Sequence, residues 1–266
     1  MFQDKTVVIK GGGDLASAVA HKMKRSGFKV IITEIPCPKM VRRTVSFGNA
    51  IYEGEWSVEG ETSKHVNTIK EAAYEMDNGR IPVIIDPDLN KAKELKPTVV
   101  IDATLAKRNI KTSKDDAPIV IGLGPGFTAP ENAHAVIETK RGHDLGRIIL
   151  EGSSIPNTGI PGNIEGYTHE RVFRAPKAGL VKNCVKIGDI VEKDHVLCYV
   201  DDAEVKAKIS GVVRGLIHDG LMVNEGEKLG DVDPRGNIKY CYTISDKGRT
   251  IAGGVLEATL YFLNNM

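Results

Sequence analysis

At 266 residues the chain has room for one large domain or two modest ones. Its 36 basic and 35 acidic side chains nearly cancel, so it lacks the cationic surface that a nucleic-acid partner requires. No apolar run approaches the roughly 20 residues of a membrane span, and the opening MFQDKTVVIK has no secretion-signal core, so a cytoplasmic protein is expected.

Cys37, Cys184, Cys198 and Cys241 never form a C-x-x-C pair, and no two histidines share a helical face at ligand spacing. Reduced thiols and no structural metal are therefore expected.

In chain order, the pattern predicts a strand over 7–10, a helix over 15–25, a strand over 29–34 and a helix near 64–77. Strand 82–85, a short helix near Leu89, and strands 99–101 and 119–121 follow. Short Val- and Ile-rich runs bounded by Gly, Pro or Asp are typical of strands buried on both faces. The segment AVIETKRGHDLGRIIL reads as two strands joined by a polar turn, and GSSIPNTGIPGNIEGYT as a connector. Beyond it, residues 175–201 align with residues 207–233, pairing Ala175 with Ala207, Gly179 with Gly211 and Asp201 with Asp233. This is an internal duplication whose halves need each other to bury an apolar face. The stretch APKAGLVKNCVKIGDIVEKDHVL resembles biotinyl and lipoyl domains, although Asp202 and Ala203 stand where those carriers have their modified lysine. Last comes an apolar helix capped by Ser245.

The expected fold is thus α/β: a Rossmann-like doubly wound sheet over 1–165, an unmodified barrel-sandwich hybrid module over 170–235, and a helical segment over 240–266. The last is expected to pack on the α/β domain or on a second subunit.

GGGDLA reads as G-x-G-x-x-A at the end of the first strand. Gly11 allows a tight turn, Gly13 lets a pyrophosphate approach the backbone and Ala16 lets the helix pack closely, with Gly12 between them among the candidate cofactor-binding residues. Asp14 caps that helix and opposes an anion there, whereas Glu34 ends the second strand where an acid accepts ribose hydroxyls. Gly122, Gly124 and Gly126 belong to the same crevice if they follow a strand of the same sheet; a rigid turn fixed by Pro125 explains them equally well. Cys37, between two prolines and near Lys39, Arg42 and Arg43, is a candidate nucleophile, and the two arginines are candidate anion clamps. In ETKRGHDLGR, Glu138, Arg141 and His143 crowd one turn, with His143 a candidate acid or base; a hydrogen-bonded turn is the plainer reading. These features leave three classes open: a dinucleotide-binding protein, an NAD-dependent oxidoreductase and a non-catalytic scaffold.

IKGGGDLASAVAHKMKRSGFKVIITEIPCPKMVRRTVSFGNAIYEGE, GLGPGFTAPENAHAVIETKRGHDLGRII, PNTGIPGNIEGYTHERVFRAPKAG, DVDPRG and AGGVLEA together resemble the selenium-dependent molybdenum hydroxylase maturation proteins. That resemblance implies an accessory factor acting on labile selenium or on the molybdenum cofactor of a hydroxylase, with Cys37 placed to pass sulfur or selenium; the dinucleotide in the crevice would then be molybdopterin dinucleotide, where the glycine turn alone points to an NAD-like ligand. It further implies a molybdenum hydroxylase as partner.

Overall fold

The structure, a computed structural model, describes residues 2–265. The chain divides into two compact units, one running to Pro38 and including Ser46–Asn157 and the chain from Ile244 onward, the other Lys39–Val45 and Thr158–Thr243.

The first unit begins with strand β1 (Thr6–Lys10), helix α1 (Asp14–Arg25) and strand β2 (Lys29–Glu34). A one-turn helix α2 (Ala50–Glu53) leads into a hairpin, β3 (Glu55–Val58) and β4 (Glu61–Val66), and then helix α3 (Ile69–Asp77). Thr68 ends the β4 pattern and caps α3 through its hydroxyl, which accepts from Glu71 N. The helix therefore starts later than the pattern suggested, because Lys64, His65 and Val66 belong to the hairpin. β5 (Ile81–Ile85), β6 (Val99–Asp102), β7 (Ile119–Leu123), β8 (Thr128–Ala129), β9 (Ala135–Ile137), β10 (Ile148–Ile149) and β11 (Gly152–Ser153) follow. The short helix expected near Leu89 is a single 3-10 turn, Ala92–Leu95, entered through a turn in which Leu89 has a left-handed φ of 61°.

Nine of these strands form one sheet in the order β10-β9-β7-β6-β1-β2-β5-β4-β3. The inner strands run parallel, and β3 and β10 add antiparallel edges at the two ends. Val7, Val8, Ile9, Ile31, Ile32, Ile101, Ile119 and Ile121 are wholly inaccessible, as continuous apolar runs buried on both faces should be. Helix α4 (Asp246–Leu263) returns to this unit and packs along α1. It can do so closely because Gly254 presents bare backbone to the carbonyl of Gly146, where a Cβ would collide.

The second unit holds eight short strands: β12 (Val172–Arg174), β13 (Gly179–Asn183), β14 (Ile190–Val191), β15 (Val196–Val200), β16 (Ala203–Lys206), β17 (Gly211–Leu216), β18 (Met222–Val223) and β19 (Lys228–Asp233). They make two four-stranded antiparallel sheets, β12-β19-β17-β14 and β16-β15-β13-β18. Strands β13, β14 and β15 recur as β17, β18 and β19, and each half lends its middle strand to the other half's sheet. Asp231 and Asp233 are buried here among Lys228, Arg171, Arg214 and Arg235.

The expected class, a Rossmann-like doubly wound sheet with a barrel-sandwich hybrid module, is corrected by this topology. The chain is mixed α/β, with one large sheet of mixed direction and several small antiparallel sheets. Regular winding fails because β5 reaches β6 through a turn and a single 3-10 turn, and β6 reaches β7 through an irregular segment. No helix among the described residues is long and apolar enough to cross a membrane.

Candidate functional site

Because β1, β6 and β7 are adjacent and parallel, the turns at Gly11–Gly13 and Gly122–Gly126 leave the same carboxyl edge of the sheet. They do not face an open crevice. Segment 103–113 lies between them: a Cβ on Gly11 would come within 3.2 Å of Ala103 O, and one on Gly126 within 2.6 Å of Arg108 C. Gly122 makes way for the Phe127 ring, and Gly124 for the Thr139 hydroxyl at 2.5 Å. The glycines of the second cluster are thus required by packing.

The first glycine turn is closed in a different way. Gly12 N donates to Glu34 Oε1 at 2.8 Å, and Gly12 O accepts from Gly48 N at 2.9 Å. A Cβ on Gly12 would fall 2.7 Å from Gly48 Cα. Glu34 also accepts from Ile35 N at 2.6 Å; burial pushes its carboxyl pKa up, against the pull of these two amides. Glu34, read from sequence as a ribose acceptor, therefore occupies its own loop's amide. This leaves a dinucleotide neither the amide at Gly12 nor the space beside it.

One part of the turn stays open. Gly13 is the N-cap of α1, makes no side-chain cap and has nothing within 4 Å of where its Cβ would stand. Ser17 N bonds to Gly13 O, and among the described residues the amides of Leu15 and Ala16 meet no acceptor. A helix N-terminus in this state attracts anions through unused N–H groups and the helix dipole.

Beside it stands Lys247, in the first turn of α4. It is half-buried, and among the described residues its ammonium makes neither a hydrogen bond nor an ion pair. Burial lowers its pKa, Asp14, Glu138 and Asp246 act to raise it, and Arg141 lowers it further. Arg141 itself reaches Asp246 with two bonds, 2.7 and 3.0 Å. Glu138 is buried, its carboxylate held by Lys140 N and Ile155 N, both at 2.7 Å.

Of the residues singled out in the sequence, Asp14, Glu138 and Arg141 carry charges that act on Lys247, and Gly13 and Ala16 stand with Asp14 at the start of α1. Gly11, Gly12, Glu34, Gly122, Gly124 and Gly126 line closed backbone contacts. Cys37 is exposed and His143 lies on an exposed turn. Arg42 and Arg43 belong to the second unit; Arg42 Nη2 donates to the carbonyls of Tyr240 and Thr243 at 2.9 and 3.2 Å, and Arg43 Nε to Leu216 O at 2.8 Å. Among the described residues no three His, Cys, Asp or Glu side chains are grouped to hold a metal ion.

Lys247 escaped the sequence reading. A cation in a helix's first turn opposes the dipole, and in SDKG that misplacement was the available signal.

No protein-family model matches the sequence. The chain is 48% identical over 258 residues to the uncharacterized protein YqeB of Escherichia coli (strain K12), covering 97% of this chain and 48% of that protein. It thus spans about half the length of the curated relative it matches. Among solved structures, the product-bound ectoine utilization protein EutE (DoeB) from Ruegeria pomeroyi aligns at TM-score 0.27 and 10% identity, over 86% of this chain and 85% of that one. An aspartoacylase family protein from Mesorhizobium loti aligns at 0.26 and 9%, over 86% and 84%. A succinylglutamate desuccinylase from Silicibacter sp. TM1040 aligns at 0.25 and 10%, over 87% and 85%. TM-scores this low carry no argument about chemistry. None of these proteins is described as a molybdenum hydroxylase maturation factor, and the curated relative has no described activity. The resemblance to that family, the selenium and cofactor role drawn from it, and the hydroxylase partner are corrected on this finding. The chain is similar to YqeB over about half of that protein's length.

Proposed function

We propose that the first unit binds a small anionic ligand, a phosphate- or carboxylate-bearing molecule, at the N-terminus of α1. The observation that carries this reading is the pairing of the uncapped turn at Gly13 with the unbonded ammonium of Lys247. Two amides, Leu15 N and Ala16 N, point out of the helix start, and the lysine supplies a full positive charge beside them. Asp14 and Glu138 keep that charge in place while no anion is bound, and Arg141, tied to Asp246, holds the α4 end of the site. A single anionic group satisfies these donors; the closed turn at Gly12 argues against a pyrophosphate lying along it. Residence in the cytoplasm belongs to the same proposal and is supported by four cysteines with no disulfide among them.

Calorimetric titration of inorganic phosphate and of a short dicarboxylate, with Lys247→Met as control, tests the reading. Saturable heat with at least one anion in the wild type, weakened about tenfold or more in the variant, is expected from losing a charge-assisted contact. Equal heats in both proteins would remove Lys247 from the site.

A further inference from the structure

The two edges of the nine-stranded sheet show different faces to solvent. At the β3 edge Glu55 is exposed, with Lys64 and Arg80 at 3.8 and 3.6 Å, a charged margin of the kind that deters pairing with a further strand. The β10 edge instead carries Ile148, Ile149 and Leu150 in succession, and Leu150 is exposed. Ile149 packs on the cluster of Phe127, Ala129, Ala133 and Val136. Ile148 and Leu150 alternate to the other face, where with Leu256, Leu260 and Tyr261 of α4 they line a groove of about 630 Å³, apolar save for the exposed Glu257.

The main chain shows which groups of β10 are unused. Gly124 N donates to Ile137 O from the β7 side of β9, and Glu138 N donates to Arg147 O on the β10 side. Groups alternate along a strand, so Val136 also faces β10, and Ile149, its register partner, turns its N–H and C=O inward. Ile148 and Leu150 turn theirs away from the sheet. Among the described residues Leu150 N donates no hydrogen bond.

Residues 147–151 read RIILE: a cation, a run of aliphatics and an anion. Antiparallel self-pairing centred on Ile149 sets Arg147 opposite Glu151 of a second copy, Ile148 opposite Leu150, and Ile149 opposite itself. The same register brings the outward N–H and C=O of Ile148 against those of Leu150. Charge and main-chain hydrogen bonding, which are independent, thus select one register. Glu151 is exposed and among the described residues makes neither a hydrogen bond nor an ion pair. Arg147 is exposed and reaches Asp144 at 3.4 Å, a surface contact that costs little to exchange.

We infer that the β10 edge is a homodimer interface, in which Ile148 and Leu150 of two copies pair about an axis at Ile149 and Arg147 and Glu151 close the ladder at each end. The contact is isologous and joins the two large sheets into one. Paired strands stand about 4.8 Å apart, so the two grooves, each over its own β10, run together into an apolar layer that covers Leu150 and Tyr261 of both copies. None of this depends on the anion site.

Sedimentation velocity of the full chain across a dilution series tests the inference, and wild type should sediment as a dimer. Arg147→Glu and Glu151→Arg each set like charges face to face at both ends of the ladder, and each should weaken the dimer about tenfold or more. The double variant, Arg147→Glu with Glu151→Arg, restores opposite charges and should recover the wild-type affinity. Its recovery also shows that the exchanged residues leave the fold intact. Leu150→Lys puts a charge into the apolar layer and should abolish the dimer. Amide exchange by NMR reads the strand pairing itself: Leu150 N should be protected in the wild-type dimer and exchange freely in Leu150→Lys. A monomer at every concentration would overturn the interface. So would single charge variants that dimerise like wild type, a double variant as weak as the singles, or fast exchange at Leu150 within the dimer.

Discussion

Glu34 shows how one side chain redirects a motif. The glycine turn and the acid at the end of β2 were both legible, because small residues after an apolar strand have few other uses. What the acid binds was not, since that depends on Gly48 reaching Gly12 from a separate segment. Replacing Glu34 by Ala leaves Gly12 N without its acceptor and should destabilise the fold by about 1–3 kcal/mol in chemical denaturation. Gly12→Ala should cost a similar amount, about 1–3 kcal/mol, by forcing Gly48 away. Wild-type stability in either variant would show that the turn is looser than these contacts require.

Helix α4 carries the clearest test at the scale of elements. Two neighbouring glycines weaken it by propensity alone, yet their surroundings differ: Gly254 abuts Gly146, whereas Gly253 has nothing within 4 Å. Gly253→Ala should therefore raise stability by about 1 kcal/mol, while Gly254→Ala should lower it despite the same gain in propensity. Thermal unfolding of the two variants compares them directly; equal shifts would contradict the packing of α4 on this unit. Ser245 was readable as the cap, and its hydroxyl does accept from Gly248 N at 3.1 Å. Lys247, two residues on, was hidden because its neighbours Asp14 and Glu138 are distant in sequence and meet it only once α4 packs beside α1. The β3–β4 hairpin was likewise missed, since polar residues alternate through it with few apolar markers.

For the molecule as a whole, the positions along the chain of the buried strands β1, β2, β5, β6 and β7 were legible from continuous Val and Ile runs, whereas their order in the sheet and the mixed direction of its edges were not. The irregular β5–β6 and β6–β7 connections were not, because nothing in composition shows that the helix near Leu89 shrinks to a single 3-10 turn or what path 103–113 takes. Nor did local pattern reveal that residues 39–45 belong to the second unit. The response to acid is a property of the whole fold. Nδ1 of His134 accepts from Val120 N at 2.9 Å, so the ring serves as an acceptor in its neutral form, and burial lowers its pKa. Its folded pKa lies below the unfolded value near 6.5, so its stabilising effect is present above that value and lost as pH falls through the folded pKa. Burial alone would raise Asp231 and Asp233, yet Lys228 holds Asp231 low and Arg235 holds Asp233 low. Their contribution is present above the ordinary carboxylate range and disappears at still lower pH. His134→Gln, which keeps an acceptor without a titration, should flatten the stability loss just below neutrality and leave the acid limb intact. An unchanged profile would remove His134 from the account.

The function proposed above turns on whether the start of α1 and Lys247 receive an anion. Amide chemical-shift perturbation in a phosphate titration of the whole chain tests it most directly. Saturable shifts led by Leu15 and Ala16 are expected, with smaller ones at Lys247, and these should be lost in Lys247→Met. Shifts that stay flat at these amides, or that centre on another part of the chain, would contradict it.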